Sequence, residues 1–290
     1  MSTLTRLAAP FAVAGIAAFA GLALTVPANA AAASTSYEAT LSPVSMNTPS
    51  GAASGTVMLT LDGNQATVTE TVKGLGDKLP TDKDTLAALG IPSSFAGAQF
   101  PHVQHIHIDG QGTCPTASAD ANGDGVISTV EGHDAYGMVG TTLSTKGDTS
   151  AKAFADVTVA PGGGIFTYQR TFTMNADTIA SIKAGTAVVV VHGLNPATAP
   201  KASLSTPNSL DVTLPGQSKK LALIGTAPAL CGALQVSQMG TMPSGSADTG
   251  GGSMAASGGN GAEIALGGLA LAAAAGAGVV ALRRRRTSED

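Results

Sequence analysis

Apolar and polar residues alternate with a period of two along much of the chain between residue 37 and residue 236. The clearest case is the segment 55–72, where two alternating runs flank a group of turn-forming residues. Its apolar positions are Val57, Leu59, Leu61, Ala66, Val68 and Val72, and Asp62-Gly63-Asn64 forms the turn. Side chains that repeat every second residue share one face of a strand, so this segment predicts a β-hairpin with one buried face.

Seven further segments show the strand pattern, with turn residues between them. They are 37–44, 104–108, 154–159, 165–173, 187–192, 210–214 and 230–236. Helical signals occur at 82–89 and 177–184, and Gly185 ends the second of these helices. Many strands separated by turns predict an all-β fold, a Greek-key sandwich or barrel with short helical insertions.

Residues 1–30 have the pattern of a signal peptide. Arg6 precedes an apolar run from residue 7 to residue 26, and residues 28–30, Ala-Asn-Ala, form an A-x-A cleavage signal. A retained membrane anchor is the alternative, but Pro10 and the cleavage signal make it the weaker interpretation. We therefore expect an exported protein whose mature chain starts near Ala31.

The C-terminal end predicts attachment to the cell surface. A Gly/Ser-rich linker, 238–262, leads into a predicted transmembrane or sorting-signal helix, 263–283. Its uncharged part, Ile264 to Leu282, would form a helix of roughly 28 Å, which matches a bilayer core. The arginines at 283–286 predict that the tail, 284–290, is a cytoplasmic basic tail and that the domain faces outside. The linker also contains Thr249-Gly250, within a variant of the LPxTG signal that sortases cleave. A transmembrane helix in the cell membrane and covalent attachment to the cell wall both stay open.

The composition of the domain between these ends, 31–237, limits its class. It is large enough for one sizeable core, and the absence of tryptophan and the 12% of charged residues in the chain suit a β-rich extracellular domain. The formal charge of −4 includes the arginines of the tail, so the exported part of the chain is more acidic still. We therefore expect no binding to nucleic acid. Cys114 and Cys231 are the two cysteines, and export makes a disulfide between them the expected state.

The five histidines all lie between residues 102 and 192. His105 and His107 share one face of the strand at 104–108, where two imidazoles about 7 Å apart can reach one metal ion. His192 ends an unbroken run of valines, which is an unusual place for an ionisable side chain without a partner. The alternative is a set of histidines satisfied by water or hydrogen bonds, and the H-x-H pattern alone favours that alternative.

The segment 120–131 fits the calcium-binding loop of an EF-hand. Its ligand positions are Asp120, Asn122, Asp124, the carbonyl of Val126, Ser128 and Glu131, and Gly125 stands at the sharp turn. An acidic turn without an ion is the weaker alternative, because the match includes the glycine and the following Ile127. The sequence before the loop shows no amphipathic helix, so we expect a single structural calcium loop.

Several segments, in the same order, resemble the copper/zinc superoxide dismutases. They are Val72-Lys-Gly-Leu75, the H-x-x-H-x-H segment 102–107, Val190-Val-His192 and Ala229-Leu-Cys-Gly232. The resemblance implies a copper site of His105, His107 and His192. It also implies a supporting role for His102 and an intrasubunit disulfide between the two cysteines.

Departures from that family bear on activity. An insertion, 76–100, precedes the histidine segment, and the region that carries the family's bridging and zinc-binding histidines here contains the calcium loop and one histidine, His133. A full zinc site cannot be assembled from it. Pro228 stands where the family has an arginine that steers superoxide, which predicts slow dismutation or none.

The strand pattern and the His-Ile-His segment also resemble CHRD domains, the modules named after chordin, which have a related sandwich and no established catalysis. Two functional hypotheses follow. The first is a copper site, with His133 as a candidate further ligand, that disproportionates superoxide. The second is a non-catalytic metal-binding or adhesive surface domain. The missing arginine and zinc histidines favour the second for activity, whereas the spacing of the histidines favours copper binding.

Overall fold

The computed structural model describes residues 34–48 and 53–238, which fold mainly into β-strands. The strands are β1 (Thr35–Pro43), β2 (Ser54–Asp62), β3 (Gln65–Lys73), β4 (Gln104–Asp109), β5 (Gly137–Thr142), β6 (Ile165–Thr173), β7 (Val188–His192), β8 (Pro228–Ala233) and β9 (Gln235–Val236). The α-helices are α1 (Lys83–Leu89), α2 (His133–Tyr136), α3 (Ala176–Ala184) and α4 (Lys201–Ser205). The prediction of a mostly β fold with few helices is confirmed.

The strands form an antiparallel sheet that curls into a half-barrel. Their order is β5-β4-β7-β8-β1-β2-β3-β6, and β9 pairs with β1. Strand β1 joins the two halves of the sheet: its residues up to Leu41 pair with β2, whereas Ser42 and Pro43 pair with β8. The histidine-bearing strands β4 and β7 are neighbours in this order, which brings residues distant in sequence side by side.

The concave face of the half-barrel holds the main hydrophobic core. Leu59, Val68, Ile106, Val191 and Leu230 come from five different strands and are all fully buried in one cluster. Burial of apolar surface on this scale is the main favourable contribution to folding. The alternation within β2 and β3 therefore has the expected cause, since every second side chain faces this core.

A second, smaller core lies on the convex face of β7 and β8. It contains Val188, Val190 and Cys231 from these strands, and Ile127 and Tyr136 from the segment that connects β4 to β5. This connecting segment therefore covers one outer face of the sheet. The continuous valine run of β7 follows from its position, because both faces of the strand are buried.

The two predicted helices are present with the expected ends. Asp82 caps α1 by accepting a hydrogen bond from the Thr85 amide, and Asn175 caps α3 in the same way through the Thr178 amide. Gly185, with a φ of 72°, takes the left-handed conformation that ends α3.

Two strand predictions are wrong, and one strand was missed. The segment 154–159 contains the 3-10 turn Val157–Val159, where the Asp156 side chain accepts a hydrogen bond from the Thr158 amide. The segment 210–214 is irregular, because the Asn208 side chain accepts hydrogen bonds from the Leu210 and Val212 amides. Strand β5, which lacks a clear apolar alternation, was not predicted, and neither were the helices α2 and α4.

In the part of the chain that the structure describes, no helix has the length and apolar composition needed to cross a bilayer. The predicted signal peptide, 1–30, lies outside the described residues. So do the predicted transmembrane or sorting segment, 263–283, the basic tail, 284–290, and nearly all of the linker, including Thr249 and Gly250.

Candidate metal centre

Three histidines meet on the convex face of the sheet. His105 and His107 project from the same face of β4, and the antiparallel pairing sets His105 opposite Val190 of β7. A bulge between Val191 and His192 shifts the last residue of β7 relative to β8. The three imidazole rings then lie close together, with centroids separated by 5.5, 5.1 and 5.8 Å.

A backbone carbonyl orients each of the three rings. His105 Nε2–H donates to the Phe154 carbonyl at 3.0 Å, His107 Nδ1–H to Gly137 at 2.9 Å, and His192 Nδ1–H to Thr226 at 2.6 Å. A carbonyl oxygen can only accept, so these contacts place the hydrogen of each neutral ring on the outward-facing nitrogen. The second nitrogen of each ring is therefore left with a free lone pair.

These second nitrogens converge. His105 Nδ1, His107 Nε2 and His192 Nε2 are buried and have no hydrogen-bond partner. One ring nitrogen from each histidine lies within 4.8 Å of one from each of the others. Lone pairs that face each other in a buried site are unfavourable unless a hydrogen-bond donor or a positive charge lies between them. Bond lengths near 2 Å from imidazole nitrogen to a transition-metal ion would satisfy all three at once.

Burial keeps the three imidazoles neutral. The loss of solvation is the main cause that lowers the pKa of His107 to about 3 and that of His192 to about 4. Desolvation, followed by the proximity of His192 and His107, also holds the pKa of His105 well below its usual value. Neutral imidazole is the form that binds metal ions, so the site is ready for a ligand at neutral pH.

The pocket in front of the three nitrogens has mostly apolar walls. Its side chains come from the segments around Phe154 and Val157 and from the stretch that includes Val212, Leu214 and Leu221. Two of these segments, 154–159 and 210–214, were wrongly predicted as strands, and the residues around Leu221 had no predicted structure. Their irregular backbone has a role here, since Phe154 provides a carbonyl to His105 as well as part of the wall.

Gly137 fixes the carbonyl that orients His107. It begins β5 with a φ of 86°, and a Cβ atom at this position would lie 1.9 Å from the Ile108 carbonyl oxygen. A side chain cannot be accommodated there without displacement of the backbone. The small residue therefore allows β5 to approach β4 closely enough for the His107 ring to reach its carbonyl.

The other two histidines do not join the three. His102 is fully buried behind them, with Nδ1 at 3.0 Å from the His192 carbonyl oxygen and Nε2 at 2.9 Å from that of Gly76. It packs edge-on against Phe100, and burial lowers its pKa. His133, expected as a further copper ligand, is exposed at the start of α2 and lies outside the group of three.

The predicted calcium loop adopts a tight series of turns. Asp120 accepts hydrogen bonds from the amides of Gly123 and Gly125, and Asp124 accepts one from Val126. Glu131 accepts from the Ser128 amide and Ser128 Oγ accepts from the Glu131 amide, a reciprocal capping box. The loop carboxylates do not lie within 4.8 Å of one another as a group; among the described residues the three histidines meet that condition.

The loop is attached to the metal centre through Thr129 and Tyr136. Thr129 Oγ1 donates at 2.7 Å to the Thr226 carbonyl, which also accepts from His192. Tyr136 donates at 2.7 Å to the Thr129 carbonyl, and its ring lies against His107 with a centroid separation of 4.6 Å. The loop therefore forms part of the support around two of the three imidazoles.

The expected disulfide is present. Cys114 and Cys231 are bonded with a Cα–Cα distance of 5.8 Å, across 117 residues of sequence. Cys114 lies in the segment between β4 and β5, and Cys231 lies in β8. The bond therefore holds the segment that covers the histidines against the convex face of the sheet.

Sequence reasoning missed a buried acid on the opposite face. Glu70 in β3 is fully buried in the concave core, and neither carboxyl oxygen has a hydrogen-bond partner. Burial raises its pKa to about 8, and the nearby Gln104 side chain opposes this only in part. The period-two pattern already indicated that Glu70 is buried, because it places Glu70 on the same face of the strand as Val68 and Val72.

The fold and the site together define a β-rich domain with a buried three-histidine centre that could hold a metal ion. Comparison with known proteins does not narrow this class: no protein-family model matches the chain, and no curated protein matches it significantly.

Proposed function

We propose that this chain is an exported, surface-anchored metal-binding domain of the CHRD or superoxide-dismutase type, with copper at the three-histidine centre and little or no catalysis. The observation that carries the proposal is the convergence of three unpartnered imidazole nitrogens, each oriented by a backbone carbonyl. Backbone carbonyls that hold the outer ring nitrogen are the usual second-sphere support of metal-bound histidine.

The donor set favours copper over other divalent ions. Three neutral nitrogen ligands suit copper and zinc, and copper stands above zinc in the general affinity order for such ligands. Carboxylate donors, which suit magnesium, calcium and manganese, are not among the residues that line the pocket. The order of the histidine, cysteine and Val-Val-His segments along the chain also supports the copper interpretation.

Fast dismutation is not expected from this site. Arg170 is the one arginine of the described part of the chain, and it donates hydrogen bonds to Ser144 and to the Gly147 carbonyl. It is therefore engaged elsewhere, and Pro228 lies in β8 next to His192 in the strand register. No lysine or arginine is among the residues that line the pocket, so no side-chain cation there would steer an anionic substrate toward the metal.

The alternative is a slow copper-dependent dismutase that converts superoxide to oxygen and hydrogen peroxide. It is favoured by one feature of the site, since a pocket lies in front of the three imidazole nitrogens. Copper would supply the redox chemistry in that case, and the chain would contribute three neutral ligands and an apolar cavity.

The proposed location is the outer surface, through a cleaved signal peptide and either a membrane helix or sortase-linked attachment to the cell wall. The disulfide supports export, because such bonds persist in oxidising compartments. The same proposal includes a calcium ion in the loop 120–131. This ion would stabilise the structure, and the loop would not act as a calcium sensor.

Metal analysis of the purified full chain tests the proposal. After equilibration with equal copper and zinc and removal of free ions, we expect one copper per chain. His105→Ala, His107→Ala and His192→Ala should each lose it, whereas His133→Ala, the exposed histidine, should keep it. Retention of copper by all three variants, or occupancy by zinc alone, would contradict the copper site. Superoxide assays on the same samples distinguish the two hypotheses, a domain that only binds copper and a slow dismutase.

A further inference from the structure

The side chains that line the metal pocket include no charged group that could hold an anion. Phe154, Val157, Val212, Leu214 and Leu221 provide apolar surface, and none of the residues that line the pocket is an acid, a lysine or an arginine. The histidine N–H groups point away from the pocket toward backbone carbonyls. An anion that entered would lose its hydration without gaining a donor from the walls.

The two threonines in the pocket do not change this. Thr129 donates its hydroxyl hydrogen to the Thr226 carbonyl, and the Thr226 hydroxyl donates at 3.4 Å to the Leu223 carbonyl. Each hydroxyl has one hydrogen, and in both threonines a backbone carbonyl accepts it.

The space is small. The cavity lined by the three histidines has a volume of about 40 Å³. One water molecule needs roughly 10–15 Å³ on this measure, so the free space suits a ligand of two or three heavy atoms.

We infer that this pocket selects small uncharged ligands at a monovalent metal ion, copper(I), and discriminates against anions. The inference rests on the proposed copper site and concerns its ligand class. Three neutral imidazoles leave the charge of the ion uncompensated, and the cost of a buried charge rises steeply with its magnitude, which favours the monovalent ion over a divalent one. An anion would have only the ion itself to replace its hydration shell, whereas a small neutral ligand has little hydration to lose.

Carbon monoxide is the probe for this inference. The full chain, loaded with copper(I) without oxygen, should give one saturable infrared band for bound carbon monoxide. Replacement of perchlorate by chloride at constant ionic strength should change the carbon monoxide affinity by less than about twofold, because the pocket gives chloride no donor.

A positively charged side chain in the pocket wall should allow chloride to compete with carbon monoxide. Val157→Lys, on a half-buried 3-10 turn, places an ammonium group at the pocket and should make carbon monoxide binding sensitive to chloride by about tenfold. Val157→Met is the matched uncharged control and should behave as the wild type. Leu210→Lys, at the exposed margin of the pocket, is the second variant in case Val157→Lys does not fold.

The outcomes are distinct. Copper(I) that binds with a carbon monoxide band indifferent to chloride supports the inference. Copper(I) that binds without such a band, or chloride that displaces carbon monoxide from the wild type, overturns it and leaves the copper site standing. Failure of the chain to bind copper overturns both.

Discussion

The carboxyl group of Glu70 lies in the concave core, on the face of β3 that also carries Val68 and Val72. Tyr168, opposite Glu70 in the strand register, is also buried, and its hydroxyl has no hydrogen-bond partner. A charged carboxylate in such surroundings is unfavourable, which is why burial raises the pKa of Glu70 to about 8. The folded protein therefore holds a proton on Glu70 at neutral pH, whereas the unfolded chain does not.

This raised pKa makes stability depend on pH with a known sign. Between about 4.5 and about 8 the folded state binds one more proton at Glu70, so stability falls as the pH rises, by up to about 1.4 kcal/mol per unit. Glu70→Gln should remove this slope, measured by urea unfolding of metal-free protein from pH 6.5 to 8. Glu38→Gln, at an exposed position, is the control. A slope that persists in Glu70→Gln would show that Glu70 is not the cause.

The buried histidines act in the opposite direction below pH 6.5. The pKa values of about 3 for His107 and about 4 for His192 lie below the usual 6.5, so the unfolded chain binds protons that the folded chain does not. Metal-free protein should therefore lose stability as the pH falls from 6.5 toward 4. His107→Gln should reduce the slope by up to about 1.4 kcal/mol per unit, in urea titrations at a series of pH values. Exposed His133→Gln should leave it unchanged, and equal slopes in all three proteins would contradict the assignment.

Among the structural elements, the loop 120–131 has the turns of a calcium-binding loop, but its carboxylates are not close enough to one another to share one ion. Calcium–oxygen bonds of about 2.3–2.6 Å would draw Asp120, Asp124 and Glu131 to within about 5 Å of each other. Binding would therefore contract the loop and take Glu131 away from its bonds to the Asn122 and Ser128 amides.

Calcium should raise the melting temperature, because it would bind the folded loop alone. At a hundred times the dissociation constant the gain is about 2.7 kcal/mol. Glu131→Gln should abolish most of it, whereas Asp134→Asn, in the adjacent helix α2, should retain it. Equal melting temperatures of the wild type with calcium and with chelator would exclude the calcium loop.

At the scale of the whole molecule, the disulfide joins the segment that covers the metal centre to β8. Its 117-residue separation implies a contribution of roughly 4–5 kcal/mol by restriction of the unfolded chain. Asn47 makes a second attachment, with hydrogen bonds to both the amide and the carbonyl of Ile127. The disulfide and Asn47 thus add to the hydrogen bond from Thr129 to Thr226 in holding the covering segment next to the residues that support His107 and His192.

Replacement of both cysteines by alanine should lower the free energy of unfolding by roughly 4–5 kcal/mol, measured by urea unfolding of metal-free protein. It should also weaken copper binding by about tenfold or more, since the support around the imidazoles loosens. The wild type under reducing conditions is the matched comparison. An unchanged copper affinity in the alanine variant would show that the disulfide stabilises the fold without shaping the site.

Local sequence patterns were sufficient to predict the strands with clear alternation, the capped helices, the cysteine pair and the three candidate histidine ligands. In these cases the signal is local: one face of a strand is buried, or one side chain caps one helix end. Strand β5 and the segments 154–159 and 210–214 could not be predicted, because long-range contacts decide their structure. The mutual distances of the imidazoles, the carbonyls that orient them and the apolar pocket exist only in the tertiary structure. They depend on the pairing of β4 with β7, which joins residues more than 80 positions apart, and on carbonyls that lie 49, 30 and 34 positions from His105, His107 and His192.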